Sequence, residues 1–219
     1  MKKIMFNDEF RLTQAVLNGR KTMTRRIIEI DECVRFPIIR FRPLENWEKK
    51  VVNPNYVFNG HVYAVYNELD LLCHLVKPRY EIGEVVAIAQ SYKDSGYSPD
   101  SLDRHPKDLS VRGLMKDSAG WNNKMFVKSY ACRHHIKIVN VKIERLQDIS
   151  DEDCLKEGVI HAYTDNNGIK IYHTPHTKRG YLSTDVAQEA FAALIDKVSG
   201  KGTWESNPFV FAYEFVLFD

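Results

Sequence analysis

The segment Phe209-Val210-Phe211-Ala212-Tyr213-Glu214-Phe215-Val216-Leu217 near the end of the chain is the stretch that decides the fold. Large apolar residues, most of them aromatic, occupy every second position, and the positions between them are also mainly apolar. Alternation with a period of two is typical of a β-strand, and apolar residues on both faces are typical of a strand that is covered on both sides. The sequence therefore predicts an inner strand of a closed or covered sheet.

Three further segments predict strands. Residues 136–143 are rich in β-branched side chains, and their apolar phase shifts near Asn140 as a β-bulge would cause, so we expect a central strand there. Residues 85–89 form an apolar run that follows a turn at residues 80–84. Residues 3–6 predict a short first strand.

Turns and caps complete the pattern. Two turn signals predict hairpins, Asn59-Gly60 between residues 56–58 and 61–66, and Asp165-Asn166-Asn167-Gly168. Three segments predict helices because caps or an apolar face mark them. They are residues 8–18 between Asn7 and Gly19, residues 151–157 between Ser150 and Gly158, and residues 185–198 before Gly200.

The order of these elements indicates the fold class. Strands outnumber helices, and the helices are not spaced as in βαβ units, which predicts an α+β fold, mainly β, with a small β-barrel and peripheral helices. Neither an internal repeat nor a biased linker divides the chain. We therefore expect one domain over residues 1–219, with long insertions near residues 29–79, 93–123 and 160–183.

Composition limits the class of protein. The 219 residues are 44% hydrophobic with a formal net charge of +2, which excludes wholesale disorder. The charge is unevenly divided, since residues 1–50 carry 12 Lys and Arg against 7 Asp and Glu. No apolar run approaches the roughly 20 residues of a membrane span, and the four cysteines are widely separated. We expect reduced thiols, a cytoplasmic location and no membrane partner.

The first candidate site is the basic segment Gly19-Arg20-Lys21-Thr22-Met23-Thr24-Arg25-Arg26. It offers guanidinium groups for phosphate or carboxylate, an ammonium that burial could deprotonate, and a hydroxyl that such a base could activate. The alternative is a solvated basic edge, because runs of charged residues usually lie in solvent. The predicted ligand-binding residues are Arg20, Lys21, Thr22, Arg25 and Arg26.

The second candidate is Glu157. Most carboxylates of residues 151–157 are explained by capping, but Glu157 lies in the last turn, where the helix dipole disfavours negative charge. This placement suggests a function, with a cation of the basic segment as partner. A solvent-facing glutamate remains the alternative.

Other motifs give weaker signals. Cys132, His134 and His135, and His173 with His176, lack the spacing of a zinc site, so we expect no metal. Phosphate-loop, dinucleotide and serine-hydrolase motifs are absent, and we expect no cofactor. The aromatic side chains of Tyr92, Tyr97, Trp121 and Trp204 could stack on bases, although such residues more often pack in cores.

Four motifs in order resemble the ASCH domain family, which belongs to the PUA-like β-barrels. They are Gly19-Arg20-Lys21-Thr22-x-Thr24-x-Arg26, Tyr80-x-x-Gly83-Glu84, Glu144-x-Leu146-x-x-Ile149-Ser150 leading to Glu157-Gly158, and Trp204-x-x-Asn207-Pro208. The resemblance spans nearly the whole chain and is greatest to the longer, prophage-associated members. This chain differs where relatives often carry Arg-Glu, since it has Ala89-Gln90, and where they carry Met-Pro, since it has Cys132-Arg133.

The resemblance implies a barrel whose cleft receives both the basic segment and the Glu157 helix. Members of the family are thought to bind RNA or modified nucleosides, and a small bacterial member is an amidohydrolase that deacetylates N4-acetylcytidine. The positions that match its catalytic residues are Lys21, Thr24 and Glu157, as general base, nucleophile and proton relay or orienting group.

Three hypotheses follow. The first is a protein that binds RNA or a modified nucleoside in a basic cleft, because local positive charge favours a polyanion. The second is an amidohydrolase of N4-acetylcytidine-like nucleosides with Lys21, Thr24 and Glu157 as its triad. The third is a non-catalytic prophage accessory protein.

Overall fold

The computed structural model of the protein describes residues 1–30, 38–45, 47–48, 60–96, 122–175 and 180–218. These residues form a mixed α+β structure with strands predominating. The largest sheet has five strands. In spatial order they are β1 (Lys3–Ile4), β6 (Val85–Ile88), β7 (His135–Arg145), β11 (Phe209–Leu217) and β2 (Met23–Ile27).

The two longest strands confirm the sequence predictions. β11 pairs antiparallel with β7 on one side and with β2 on the other, so it is an inner strand. β7 is the middle strand of the five. The register passes from Glu214 opposite Asn140 to Phe215 opposite Ile138, which leaves Val139 as the extra residue of a bulge. The predicted phase shift near Asn140 therefore has the expected cause.

Two smaller sheets lie within two of the predicted insertions. One contains β3 (Ile38–Pro43), β4 (Tyr63–Asn67) and β5 (Leu72–Val76), and the other contains β8 (Ile160–Thr164), β9 (Lys170–His173) and β10 (Ser183–Thr184). The hairpin at Asp165–Gly168 joins β8 to β9 as predicted, with Gly168 at φ 84.

Two predictions fall on residues outside the described part. Residues 56–58, expected to pair across Asn59-Gly60, are among them, and β4 pairs instead with β3 and β5. Most of the expected insertion at 93–123 is also outside, because residues 97–121 are not described.

Five helices surround the sheets in the described part: α1 (Leu12–Leu17), α2 (Tyr92–Ser95), α3 (Asp151–Lys156), α4 (Ala187–Ser199) and α5 (Thr203–Ser206). The predicted caps of α3 are confirmed, since the Ser150 hydroxyl accepts a hydrogen bond from the Asp153 amide at 3.2 Å and Gly158 follows at φ 111. None of the described helices is long and apolar enough to cross a membrane.

The predicted start of α1 at residue 8 is wrong. The Asn7 side chain accepts a hydrogen bond from the Glu9 amide at 2.8 Å, which forms a turn instead of a helix cap. Arg11 then has φ 53, a left-handed conformation that interrupts helical geometry. Regular α-helix therefore begins only at Leu12.

The main sheet separates two apolar cores. Phe211 and Tyr213 belong to the larger core, whereas Val210, on the other face of β11, packs with Phe191 of α4 and Leu146. This arrangement explains why both faces of β11 are apolar. Within the described residues β1 and β2 are the edges of the sheet, so a closed barrel is not seen and the barrel stays a prediction.

The packing of Gly158 gives a test of this fold. A Cβ atom there would lie 3.1 Å from Leu12 Cδ2, and a side chain at φ 111 is strained in any case. We expect Gly158→Ala to lower the free energy of unfolding by about 1–3 kcal/mol in urea denaturation. Gly168→Ala is the control, because Gly168 also has positive φ but nothing lies within 4 Å of its Cβ position. Equal losses would show that the contact with Leu12 is unimportant.

Candidate functional site

Strand β2 divides the predicted basic segment between two faces of the main sheet. Thr24 pairs with Tyr213 and Arg26 with Phe211, whereas Arg25 pairs with Ala212. Side chains alternate along a strand, so Thr24 and Arg26 lie on the face of the larger core and Arg25 lies on the face of α3 and α4. The neighbouring arginines of the sequence therefore have different surroundings.

Lys21 and Glu157 form a buried ion pair, as the resemblance implied that they would meet. Lys21 Nζ lies 2.6 Å from Glu157 Oε2, and the two residues are 3% and 5% exposed. The same ammonium donates to the carbonyl oxygens of Met23 at 2.8 Å and Glu157 at 2.7 Å. All three ammonium hydrogens thus have an acceptor.

Arg25 connects the same carboxylate to two others. Its Nη1 donates to Glu157 Oε1 at 3.1 Å, its Nε donates to Glu144 Oε1 at 2.9 Å, and its Nη2 donates to Asp153 Oδ2 at 3.0 Å. Only 1% of the side chain is exposed. Lys142 Nζ lies 2.9 Å from both Glu144 and Asp153 and extends the network to solvent.

We call these six residues, Lys21, Arg25, Lys142, Glu144, Asp153 and Glu157, the ion cluster. It joins β2, β7 and the α3 region through hydrogen bonds between opposite charges. Burial of charged groups is tolerated when they are paired in this way. The cluster is consequently able to fix the position of β2.

Burial and ion pairing shift the pKa values of the ion cluster in opposite directions. For the Lys21 ammonium burial dominates, and the pKa is lowered despite the opposing charge of Glu157. For Arg25 burial also acts downward, but Glu157 and Glu144 outweigh it and raise the pKa. For Asp153 burial acts upward, but Lys142 and Arg25 outweigh it and hold the pKa of that carboxyl below its usual range.

Thr24 is near this cluster in sequence but does not join it. Its side chain lies on the opposite face of β2 from Arg25, is 5% exposed, and makes no hydrogen bond within the described residues. The hydrogens of the Lys21 ammonium are directed to Met23 and Glu157 instead. The structure thus brings together Lys21 and Glu157 of the predicted triad, with Thr24 across the strand.

A large cleft opens on the Arg26 face of the sheet. Its volume is about 840 Å³, and its walls come from β2, β11, β5 and the N-terminal residues. Basic residues predominate in its lining, and Glu29 is the acidic one. The basic residues are Lys2, Lys3, Arg25, Arg26, Lys77 and Arg79, with His74, although the Arg25 guanidinium is held by the carboxylates of the ion cluster. We call this cleft the basic cleft. Lys21, Thr24 and Glu157 are not among its lining residues.

Two of the lysines form ion pairs, and the ammonium of the third is occupied by backbone carbonyl groups. Lys2 Nζ lies 2.9 Å from Glu84, Lys77 Nζ lies 3.6 Å from Glu81, and Lys3 donates to three backbone carbonyl groups. Arg26 differs, because its one described side-chain bond is from Nη2 to the Met5 carbonyl at 2.8 Å. Arg79 likewise forms no ion pair within the described part of the chain.

Two tyrosines form the floor between these arginines. The Tyr80 and Tyr213 rings meet edge to face with centroids 5.3 Å apart, and the Arg79 guanidinium lies 5.7 Å from the Tyr80 ring centroid. Burial raises the pKa of the Tyr80 hydroxyl, and the charges of Arg79 and Arg26 both oppose this rise. The Arg79 guanidinium therefore lies against the Tyr80 ring, and Arg26 lines the same cleft.

The other predicted binding residues lie elsewhere. Arg20 is exposed and lines a small cavity of about 130 Å³ next to Gly158. The Thr22 amide donates to the Lys156 carbonyl at 3.0 Å, which ties the segment to α3. Sequence reasoning missed Arg79, although the residue directly precedes the Tyr80-x-x-Gly83-Glu84 motif.

The weaker candidates mostly have packing roles. Trp204 meets Phe191 edge to face at 6.0 Å, and Tyr92 is buried in a small core. Tyr97, Trp121 and His176 lie outside the described residues. Across the described ranges, no group of three or more His, Cys, Asp or Glu side chains is placed to hold a metal ion.

Comparisons of the chain with protein-family models, with curated proteins and with solved structures found no match.

The pKa of Asp153 gives a test of the ion cluster. Because its folded-state pKa is below the unfolded value of about 3.9, the carboxylate stabilises the fold above that pH and loses this effect as the pH falls through the folded pKa. We expect Asp153→Asn to lower the free energy of unfolding at pH 7 by about 2 kcal/mol. The difference from wild type should shrink below about pH 4.

Urea denaturation between pH 7 and pH 3 measures this difference. The control is Asp151→Asn, an exposed carboxylate in the first turn of the same helix, for which we expect a smaller loss. A deficit of Asp153→Asn that stays constant down to pH 3 would contradict the role of the ionised carboxylate.

Proposed function

We propose that the protein binds RNA or a modified nucleoside in the basic cleft. One observation carries the proposal. Arg26 and Arg79 both line the cleft, Arg79 lies against the Tyr80 ring, and neither guanidinium has a carboxylate partner among the described residues. Unpaired guanidinium groups suit phosphate oxygens, because their planar fork can donate two parallel hydrogen bonds.

The cleft also has the size and rigidity of a binding site. Its volume of about 840 Å³ lies within the range of about 300–1,000 Å³ that is usual for ligand pockets. The Tyr213 hydroxyl accepts a hydrogen bond from the Arg79 amide at 2.9 Å, and the Tyr80 hydroxyl donates to the Lys3 carbonyl at 3.0 Å. These bonds hold the backbone of Arg79 in place before a ligand arrives, which lowers the entropic cost of binding.

We also propose that the fold is a PUA-like small barrel and that the protein is cytoplasmic. The β3–β4–β5 sheet faces the same side of the main sheet as Phe211 and Tyr213, which supports a PUA-like small barrel of the kind found in the ASCH domain family. Cys73, Cys132 and Cys154 are free, which supports a reducing, cytoplasmic location.

Binding to a short RNA tests the role of the two arginines. We expect Arg26→Gln and Arg79→Gln each to raise the dissociation constant about tenfold or more, because each loses a charge-assisted contact with phosphate. Each should also reduce the slope of log affinity against log salt by about one. Fluorescence anisotropy of a labelled oligonucleotide over several salt concentrations measures both effects.

Arg11→Gln is the matched control, since Arg11 is exposed and lines the small cavity instead of the basic cleft. Binding that is independent of salt, or equal in the three variants, would refute the proposal.

The Lys21–Glu157 contact favours a second candidate, an amidohydrolase of N4-acetylcytidine-like nucleosides. Burial lowers the pKa of Lys21, as a general base requires, and Glu157 lies in hydrogen-bond contact with its amine. In this mechanism the neutral amine of Lys21 accepts the proton of the Thr24 hydroxyl as Thr24 attacks the acyl carbon. The amide C–N bond then breaks, the leaving cytidine amine takes that proton, and water hydrolyses the resulting Thr24 ester to release the acid. Lys21 would have to release its bond to Met23 or Glu157 to reach Thr24.

An assay of N4-acetylcytidine hydrolysis tests this candidate. Thr24→Val removes the hydroxyl while it preserves the shape of a buried strand residue, so we expect turnover to be lost with little change in the melting temperature. Thr24→Ser, which retains a hydroxyl, should keep measurable turnover. Activity that survives Thr24→Val would exclude the mechanism, and absence of activity in wild type would leave the binding function alone.

A further inference from the structure

A second cavity lies on the Phe209 face of β11, and none of the described residues that line it also lines the basic cleft. Its volume is about 420 Å³, which is within the range of about 300–1,000 Å³ that is usual for ligand pockets. Three half-buried aromatic side chains, Phe41, Tyr63 and Phe209, contribute to its walls. We call it the aromatic cavity.

Arg145 supplies a planar surface to the aromatic cavity. It pairs with Phe209 across β7 and β11, so both side chains lie on the same face of the main sheet. Its Cζ lies 3.7 Å from the Phe209 ring centroid, and the Phe41 ring meets Phe209 edge to face at 4.6 Å. The guanidinium is thus held against a ring that is itself held in place. Guanidinium planes of this kind are surfaces on which nucleic-acid bases stack.

Asp148 supplies a carboxylate to the same cavity. It ends the turn of 3₁₀-helix over Leu146–Asp148 and lies three residues after Arg145, a spacing that aligns side chains in 3₁₀ geometry. Both residues line the cavity, yet they form no ion pair with each other or with any other described residue. The described polar contact of the Arg145 side chain is a hydrogen bond from Nη1 to the Asn207 carbonyl at 3.1 Å.

The other charged residues of the lining already have partners. Arg40 is paired with Asp70, and the Glu144 carboxylate is bound by Arg25 and Lys142. Among the charged residues that line the aromatic cavity in the described part of the chain, Arg145 and Asp148 therefore remain for a ligand. A ligand that joins them needs a flat ring for the guanidinium and N–H donors for the carboxylate.

The two oxygens of a carboxylate suit two parallel N–H donors. Guanine has such a pair on its Watson–Crick edge, where N1–H and the 2-amino group lie side by side. Adenine and cytosine have a ring nitrogen acceptor beside their amino group, and uracil has a carbonyl oxygen on each side of N3–H. A carboxylate repels these acceptors, so the lining favours guanine among the four bases.

We infer that the aromatic cavity is a base-binding site that holds guanine, stacked on Arg145 and hydrogen-bonded through N1–H and its 2-amino group to Asp148. The inference goes beyond the proposed function, because it uses neither Arg26 nor Arg79 and does not depend on the basic cleft. A free nucleoside and a guanosine within an RNA present the same base, and the experiment distinguishes these two sources.

Comparison of guanosine with inosine tests the inference, because inosine lacks only the 2-amino group. We expect guanosine to have a dissociation constant about tenfold lower, since one hydrogen bond to a charged group is lost with inosine. Titration followed by the backbone amide signals in NMR spectra measures both constants. A uridine-rich RNA with one central guanosine, compared with the same RNA that carries inosine, shows whether the base is recognised within a strand.

Asp148→Asn is the decisive variant, because the side-chain amide replaces one acceptor oxygen by a donor. We expect it to abolish the preference for guanosine. Asp151→Asn is the matched control, since Asp151 is an exposed carboxylate outside the cavity lining and its replacement should leave the preference intact.

Arg145→Lys retains the positive charge but loses the planar surface, so it should weaken guanosine and inosine alike, by about fivefold or more. Arg26→Gln should leave the preference unchanged. Equal melting temperatures verify that each variant is folded.

The outcomes separate this inference from the proposed function. RNA binding without a preference for guanosine over inosine in either comparison would overturn the inference while the basic cleft stands. Equal effects of Asp148→Asn and Asp151→Asn, or loss of the preference in Arg26→Gln, would overturn it as well. Failure of both the nucleosides and the RNA to bind at low salt would overturn the inference and the proposed function together.

Discussion

The guanidinium of Arg25, bound by three carboxylates in a nearly water-free position, is the constraint on which the rest of the site depends. An uncompensated charge in such surroundings costs several kcal/mol, so β2, β7 and α3 must meet in the one arrangement that pairs all of them. Because Arg25 points toward the helices, its neighbour Arg26 must point the other way. The side-chain direction of Arg26, on the face of the basic cleft, therefore follows from the pairing of its neighbour Arg25. Burial of the cluster gives the basic cleft a rigid wall.

Much of the framework could be predicted because it depends on local chemistry. The alternation of residues 209–217, the phase shift at Asn140 and the Ser150 cap each specify a structure that neighbouring residues alone determine. The start of α1 could not be predicted in the same way. Asn7 satisfies a turn and a helix cap equally well, and the left-handed backbone of Arg11 decided between them.

The site was predictable only in part, since its residues come from distant segments. The charge of the basic segment and the unusual place of Glu157 were visible in the sequence, and the Lys21–Glu157 pair does form. The partition of Arg25 and Arg26 between two faces depends on where β2 pairs with β11. Arg79 and Arg145 carry no motif of their own, and only tertiary structure places them beside Tyr80 and Phe209.

The bulge at Val139 has a consequence for a deletion in this strand. Ile136 and Ile138 before the bulge, and Val141 and Ile143 after it, all face the core. Ile138 and Val141 are three residues apart, so in a regular strand they would lie on opposite faces. The extra residue, Val139, keeps them on the same face. Loss of that single residue would leave a regular strand with the same apolar side chains inside. The centre of the sheet is thus a place where one residue, Val139, can be deleted without a change in the identity of the buried surface.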